Sequence, residues 1–212
     1  MKVAVLGTGS VGQAVSTRLA GLGHEVRIGT RDVAETMARP DSPAGLTVAT
    51  FSEAAAWGEL VVLATSGQVV MAVLGQAGAE NLAGKVVIDI SNPLDFSVGF
   101  PPTLSVANTD SLGEQIQAAY PDARVVKALN TLTAELMVHP EIVGDGAHTV
   151  FVSGNDADAK AVVTDLLRSF GHTDVIDLGD ISTCRGTEMY LPLWLRIMGA
   201  VGTPMFNVKV VR

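Results

Sequence analysis

The chain has 212 residues, ample for one buried core and tight for two. Apolar residues make up 48% of it and charged residues 17%, a balance that excludes a disordered chain. The net charge of −8 argues against loose association with nucleic acid or an acidic membrane surface. Aromatics are only 5%, so the core must be aliphatic, as suits a parallel sheet covered on both faces. No apolar run reaches the roughly 18 residues of a membrane-spanning helix. Cys184 is the single cysteine, which rules out an internal disulfide and a cysteine-rich zinc site. The opening MKVAVLG runs straight into glycines and is too short for a secretory leader. The expectation is a soluble, cytoplasmic chain with no nucleic-acid or membrane partner.

In chain order, a first aliphatic run at 2–6 (KVAVL) leads into Gly7-Thr8-Gly9-Ser10-Val11-Gly12. Val11, Val15, Leu19 and Leu22 then recur at helical spacing, and a second run follows at 25–29. The link from Arg31 to Gly45 carries Pro40 and Pro43, so any helix there is brief. Runs at 46–50 and 60–65 follow, then a helical face of Val69, Val70, Val73 and Leu74, then a run at 85–90. Residues 91–110 are rich in Pro, Ser and Asn and read as a long binding loop or flap. A weaker stripe of Leu112, Ile116 and Ala119 precedes the run at 124–129, and another run lies at 148–153. Val162, Val163, Leu166, Leu167 and Phe170 form a helix face behind an Asn155 or Asp156 cap, ahead of the last run at 174–178. Residues 189–202 are apolar nearly all round apart from Arg196 and need cover from the core, a second subunit or a flat ring ligand.

Strand–helix alternation of this kind predicts an α/β fold with βαβ units. The glycine turn fits G-x-G-x-x-G between a strand and an amphipathic helix, the context of a dinucleotide site. The expected architecture is a doubly wound, mostly parallel Rossmann sheet with a small C-terminal lobe. A soft boundary near 125 divides a dinucleotide-binding domain (1–125) from a lobe (126–212) that completes the acceptor site and makes a dimer contact. In the turn, Gly7 permits the sharp bend, Gly9 lets the backbone approach a pyrophosphate, and Gly12 lets helix and strand pack. The pyrophosphate then meets free N–H groups at the helix N-terminus. An NAD site wants an acid near the end of the second strand, but Thr30 stands there and Arg31 follows. A hydroxyl beside a guanidinium suits a 2′-phosphate, so NADP(H) is expected over NAD(H). Asp32 complicates this, since it is able to pair with Arg31.

Ligands of open α/β sheets bind at strand C-termini. The candidates there are Thr65, then Ser91 and Asn92, then Ala128, Leu129, Asn130 and Thr131. Their polar members suit either nicotinamide contacts or plain turn and cap chemistry. None of His24, His139, His148 and His172 lies in such a motif, and no catalytic side chain and no metal site is expected. Cys184 reads as a small buried hydrophobe. Lys127 interrupts an apolar run and either points at a phosphate or substrate or snorkels out at the sheet edge, the second being preferred.

With these motifs in order, the chain resembles the F420:NADP oxidoreductases. The resemblance is carried by VAVLGTGSVGQAVSTRLAGLGHEV with GTR after it, VVIDISNP, PDARVVKALNT, VFVSGND and EMYLPLWLRIMG, and covers roughly residues 1–205. A similar module forms the reductase part of the six-transmembrane metalloreductases, which use it with a flavin. The resemblance implies that Gly7, Thr8, Gly9, Ser10, Val11 and Gly12 hold the NADP pyrophosphate. It implies that Thr30 and Arg31 hold the 2′-phosphate, and that Thr65, Ser91, Asn92, Ala128, Leu129 and Asn130 flank the nicotinamide. The sequence departs from the family pattern at Ala64-Thr65-Ser66-Gly67 and at Asn130, both on the nicotinamide or acceptor side. The expected activity is hydride transfer between NADP(H) and F420 or a flavin-type ring by a homodimer. The alternatives are a non-catalytic NADPH sensor or a reductase of small imines or carbonyls. The second alternative is weakened because only about 34 residues follow the last strand, too few for the helical domain such enzymes add.

Overall fold

The computed structural model describes residues 1–43 and 45–212. The chain opens with β1 (Lys2–Leu6), α1 (Ser10–Gly21), β2 (Glu25–Thr30), α2 (Val33–Ala38), β3 (Thr47–Thr50) and α3 (Phe51–Trp57). It continues through β4 (Leu60–Leu63), α4 (Val70–Ala77), α5 (Ala79–Leu82) and β5 (Val86–Asp89). The long 91–110 segment is organised around a two-residue hairpin, β6 (Leu94–Asp95) against β7 (Thr103–Leu104). Then come α6 (Leu112–Ala119), β8 (Arg124–Ala128), α7 (Ala134–Val138), β9 (Thr149–Gly154) and α8 (Ala157–Phe170). The chain closes with β10 (Asp174–Asp177), α9 (Cys184–Met189) and α10 (Leu191–Val201).

All eight aliphatic runs join one sheet in the order β10-β9-β8-β5-β4-β1-β2-β3. Alternate side chains of each strand face opposite layers. Val3 and Val5 of β1, with Val62, Ile88 and Val126, pack under α1, α7 and α8 through Val15, Leu19, Leu136, Val163 and Leu167. Ala4 and Leu6, with Val61, Leu63, Val87 and Val125, pack under α3, α4 and α6 through Ala54, Val73 and Ile116. Burial on both faces is why the strands read as unbroken apolar runs. The sheet is parallel from β3 to β8, whereas β9 and β10 run antiparallel to β8, a reversal that hydrophobic periodicity does not carry. Residues 124–128 form one interior strand, so the sheet is continuous across position 125.

Local signals explain most element ends. Asp32 caps α2 by accepting from Glu35 N, and Asp156 caps α8 by accepting from Ala159 N. Thr50 and Glu53 form a reciprocal capping box at α3, a helix the apolar pattern alone misses. The apolar C-terminal stretch is split into α9 and α10, with Pro192 in the first turn of α10. No helix among the described residues is long and apolar enough to cross a membrane. The chain leaves β3 on one side of β1 and re-enters as β4 on the other, which opens a crevice beyond the carboxyl ends of β1 and β4.

Candidate functional site

The glycine turn lies at that crevice. Gly7 has φ +131°, and a Cβ there would stand 2.3 Å from the Ala64 carbonyl oxygen. A Cβ on Gly12 would stand 2.1 Å from the Gly7 carbonyl oxygen, so the helix packs closely only because that position is glycine. Nothing lies within 4 Å of a Cβ built on Gly9, which therefore faces open space. Gly9 is the N-cap of α1 and no side chain caps that end. The first turn carries no acidic residue, so the amides that follow Gly9 are free for an anion. Gln13 pins the turn, donating from Nε2 to the carbonyls of Thr8 at 3.0 Å and Asp41 at 2.9 Å.

On the β2 side the turn borders a cavity of about 310 Å³, lined by Thr8, Thr30, Arg31, Arg39 and Thr65 together with Asp32 and Glu35. Arg31 is exposed and in no ion pair among the described residues. The Asp32 carboxylate accepts from Glu35 N at the α2 N-cap and forms no ion pair with Arg31 among the described residues. The Thr30 hydroxyl is buried 2.8 Å from that of Thr36. Arg39, which sequence reasoning passed over, reaches into the same cavity. Its guanidinium forks onto Asp41 at 2.9 and 2.7 Å and donates to Thr8 Oγ1 at 3.1 Å. The arginine hydrogen bonds hold the Asp41 carboxyl below its ordinary value, and Asp41 raises Arg39 in return.

On the other side a cavity of about 370 Å³ lies between the turn and the ends of β4 and β5. Val11, Ile90, Leu94, Phe96, Leu132 and Met137 give it apolar walls, with Ser10, Ser66 and Asn92 among its polar members. No charged side chain lines it. Thr65 borders both cavities, and its buried Oγ1 has no hydrogen-bond partner among the described residues, an unusual state for a buried hydroxyl. Gly67 fits because any Cβ would meet the Asn92 carbonyl oxygen at 2.1 Å.

The strand-end polar residues are tied to one another. Asn92 Nδ2 donates to the Asn130 carbonyl at 2.8 Å, and Asn130 Nδ2 donates to Asn92 Oδ1 at 2.9 Å and to the Thr187 carbonyl at 3.1 Å. Ser91 lines the apolar cavity, whereas Ala128, Leu129 and Asn130 are buried behind it. Leu129 adopts φ 60°, a left-handed conformation rare for a branched residue. None of the four histidines lines either cavity. His172, in the loop before β10, is buried, and that burial holds its imidazole below the ordinary value.

Lys127 does not snorkel. Its strand is interior, and its ammonium is fully buried between Asp89 Oδ2 at 2.8 Å and Glu188 Oε1 at 2.7 Å. It also donates to the Ser91 carbonyl at 2.7 Å. Burial alone would lower the ammonium, but the two carboxylates outweigh it and the value is raised. The sequence holds no local sign of this, because Asp89 and Glu188 are distant in the chain.

Residues 2–93, less than half of the chain, match the family model of NADP oxidoreductases that are coenzyme F420-dependent. A crystal structure described as a putative F420 dependent NADP-reductase from Arthrobacter sp. FB24 is 59% identical, with a TM-score of 0.97 and full coverage of both chains. The F420-dependent NADP reductase of Methanothermobacter marburgensis is 28% identical over 209 residues, covering 93% of this chain and 92% of that protein. The metalloreductase STEAP3 of Rattus norvegicus is 29% identical over 198 residues, covering 91% of this chain but 38% of that much longer protein. By these matches and by its mostly parallel sheet, the chain belongs to the coenzyme F420-dependent NADP oxidoreductase family.

Proposed function

We propose that the chain transfers a hydride between NADP(H) and F420 or a closely similar ring. The observation that carries this reading is the division of one crevice into two halves of opposite character. The half on the β2 side holds the Arg31 guanidinium, unpaired among the described residues, with Arg39 paired to Asp41 and with Asp32 and Glu35 at its edge, beside an uncapped helix end, which fits phosphates. The half on the β5 side is apolar and uncharged, which fits two stacked rings. Under this reading Gly7, Thr8, Gly9, Ser10, Val11 and Gly12 cradle the pyrophosphate. Gly7 and Gly12 shape the turn, Gly9 leaves it open, and the amides after it donate. Arg31 and Arg39, with Thr30 behind them, receive the 2′-phosphate.

The cofactor supplies the hydride, and the protein supplies position and dryness. Thr65, which borders both halves, lies beside the cofactor where it passes from one to the other. Ser91 and Asn92 form the floor beside the nicotinamide, and Ala128, Leu129 and Asn130 back that floor rather than touch the ligand. Val11, Phe96, Leu132 and Met137 exclude water from the reacting faces. Leu132 and Met137 come from the 126–212 lobe, which in this way completes the acceptor side. α10 leaves Leu193 and Val201 more than half exposed, and a second copy of the chain covers them in a homodimer. Sedimentation of the purified protein checks that assembly, and a monomer at all concentrations refutes it.

The function is tested by mixing purified protein with NADPH and F420 and following the absorbance of both. Parallel arms contain FMN, FAD and a panel of small imines and ketones. Loss of reduced nicotinamide with F420 supports the reading, loss with FMN or FAD alone moves the acceptor to a flavin, and turnover only with imines or ketones overturns it.

A further inference from the structure

We infer that Lys127, Asp89 and Glu188 form a buried clamp that positions the Ser91–Asn92 floor of the nicotinamide pocket. This rests on the cofactor reading above. Every polar atom of Ser91 is held by the clamp. Its N–H donates to Asp89 Oδ1 at 2.9 Å, its hydroxyl donates to the same oxygen at 2.6 Å, and its carbonyl accepts from Lys127 at 2.7 Å. The ammonium has three protons and three acceptors, namely Asp89 Oδ2, Glu188 Oε1 and the Ser91 carbonyl.

The far end is anchored as firmly. Glu188 accepts from the amides of Leu112 at 2.8 Å and Gly113 at 3.1 Å, at the N-terminus of α6. A buried carboxylate there is favoured by the free amides and the helix dipole. Asn92, next in the chain, is locked separately through Asn130 to the Thr187 carbonyl, beside Glu188 on α9. The floor is therefore fixed to β5, β8, α6 and α9 at once. A three-charge group with full hydrogen bonding is rigid, and replacing it by apolar side chains would often be no less stable. Its place under a pocket wall points to geometry as its use. The Ser91 hydroxyl proton is spent on Asp89, so toward the pocket Ser91 offers a lone pair and accepts rather than donates.

The test reads NADPH binding and needs no acceptor. Asp89→Asn keeps the shape and one oxygen but presents an amide N–H to the Lys127 ammonium in place of Oδ2. Each variant is titrated with NADPH, following nicotinamide emission, and with adenosine 2′,5′-bisphosphate, which carries the phosphate half without the nicotinamide. The clamp predicts that the NADPH Kd rises about tenfold and the emission of bound NADPH shifts toward that of the free form. The bisphosphate Kd stays within about twofold of the parent value. Glu188→Gln, which loosens the clamp from its far end, gives the same signature and serves if Asp89→Asn does not fold. Unchanged NADPH affinity and emission in a folded variant overturn the clamp, as does an equal loss for both ligands. Failure of the unaltered protein to bind NADPH overturns the cofactor reading and the clamp with it.

Discussion

Replacing Lys127 by methionine removes the cation and leaves its methylene stem in place. Asp89 and Glu188 then stay 0% and 1% exposed with no counter-charge between them. Breaking a buried ion pair from one side costs about 3–5 kcal/mol, because the remaining charge is stranded. The lost hydrogen bond to the Ser91 carbonyl is part of the same cost. For a chain of this size roughly 2–4 °C of melting temperature goes with each kcal/mol, so a fall of roughly 6–20 °C is expected. The assay is thermal and urea unfolding of both proteins side by side. A control carries Lys127→Met together with Asp89→Asn and Glu188→Gln, and it recovers much of the loss because no charge remains stranded. A loss below about 1 kcal/mol in the single variant, or no recovery in the triple variant, would refute the reasoning.

Three further outcomes are expected. Gly9→Ala leaves the melting temperature unchanged, since its methyl meets open space, but weakens NADPH binding, whereas Gly12→Ala destabilises the fold because its methyl would lie 2.1 Å from the Gly7 oxygen. Calorimetry of the two variants separates these effects, and equal melting temperatures would count against the turn geometry. Arg31→Ala weakens NADPH about tenfold or more and leaves NADH unchanged, read by parallel titrations. Equal effects on both cofactors would remove Arg31 from the 2′-phosphate. Burial pushes the Cys184 thiol up to about 11 from its ordinary 9.0. A raised value favours the neutral form in the fold, so this contribution is full below pH 9.0 and is lost between there and about 11. Cys184 should resist alkylation in the native protein at neutral pH and react on unfolding, and rapid native labelling would contradict this burial.

The sheet and the glycine turn were legible because each rests on a local signal. Two-sided burial makes strands read as apolar runs, and the turn needs glycine where a Cβ would strike Ala64 or Gly7. The brevity of α2 was legible from Pro40 and Pro43. α3 was also present in the sequence, as the Thr50–Glu53 capping box, but an apolar-period reading does not look for caps. Other features depend on contacts that no short window contains. The reversal of β9 follows from how the 129–148 segment returns to the sheet. Arg39 joins the polar cavity only because α2 ends beside Thr8. Lys127 looked like an edge lysine because its partners come from β5 and α9. For Ser91, Asn92 and Asn130 the residue types suggested ligand contacts, but the fold spends Ser91 on Asp89 and Lys127, and Asn92 and Asn130 on each other.

The proposed reaction is direct hydride transfer between NADPH and a deazaflavin held in one crevice. The most direct measurement is a single-turnover mixture of the protein with NADPH carrying deuterium at the transferable position of the nicotinamide and with oxidised F420. Direct transfer places the deuterium in reduced F420, with one acceptor reduced for each NADPH consumed. Reduced F420 free of deuterium, or NADPH bound tightly while F420 stays oxidised, would contradict it.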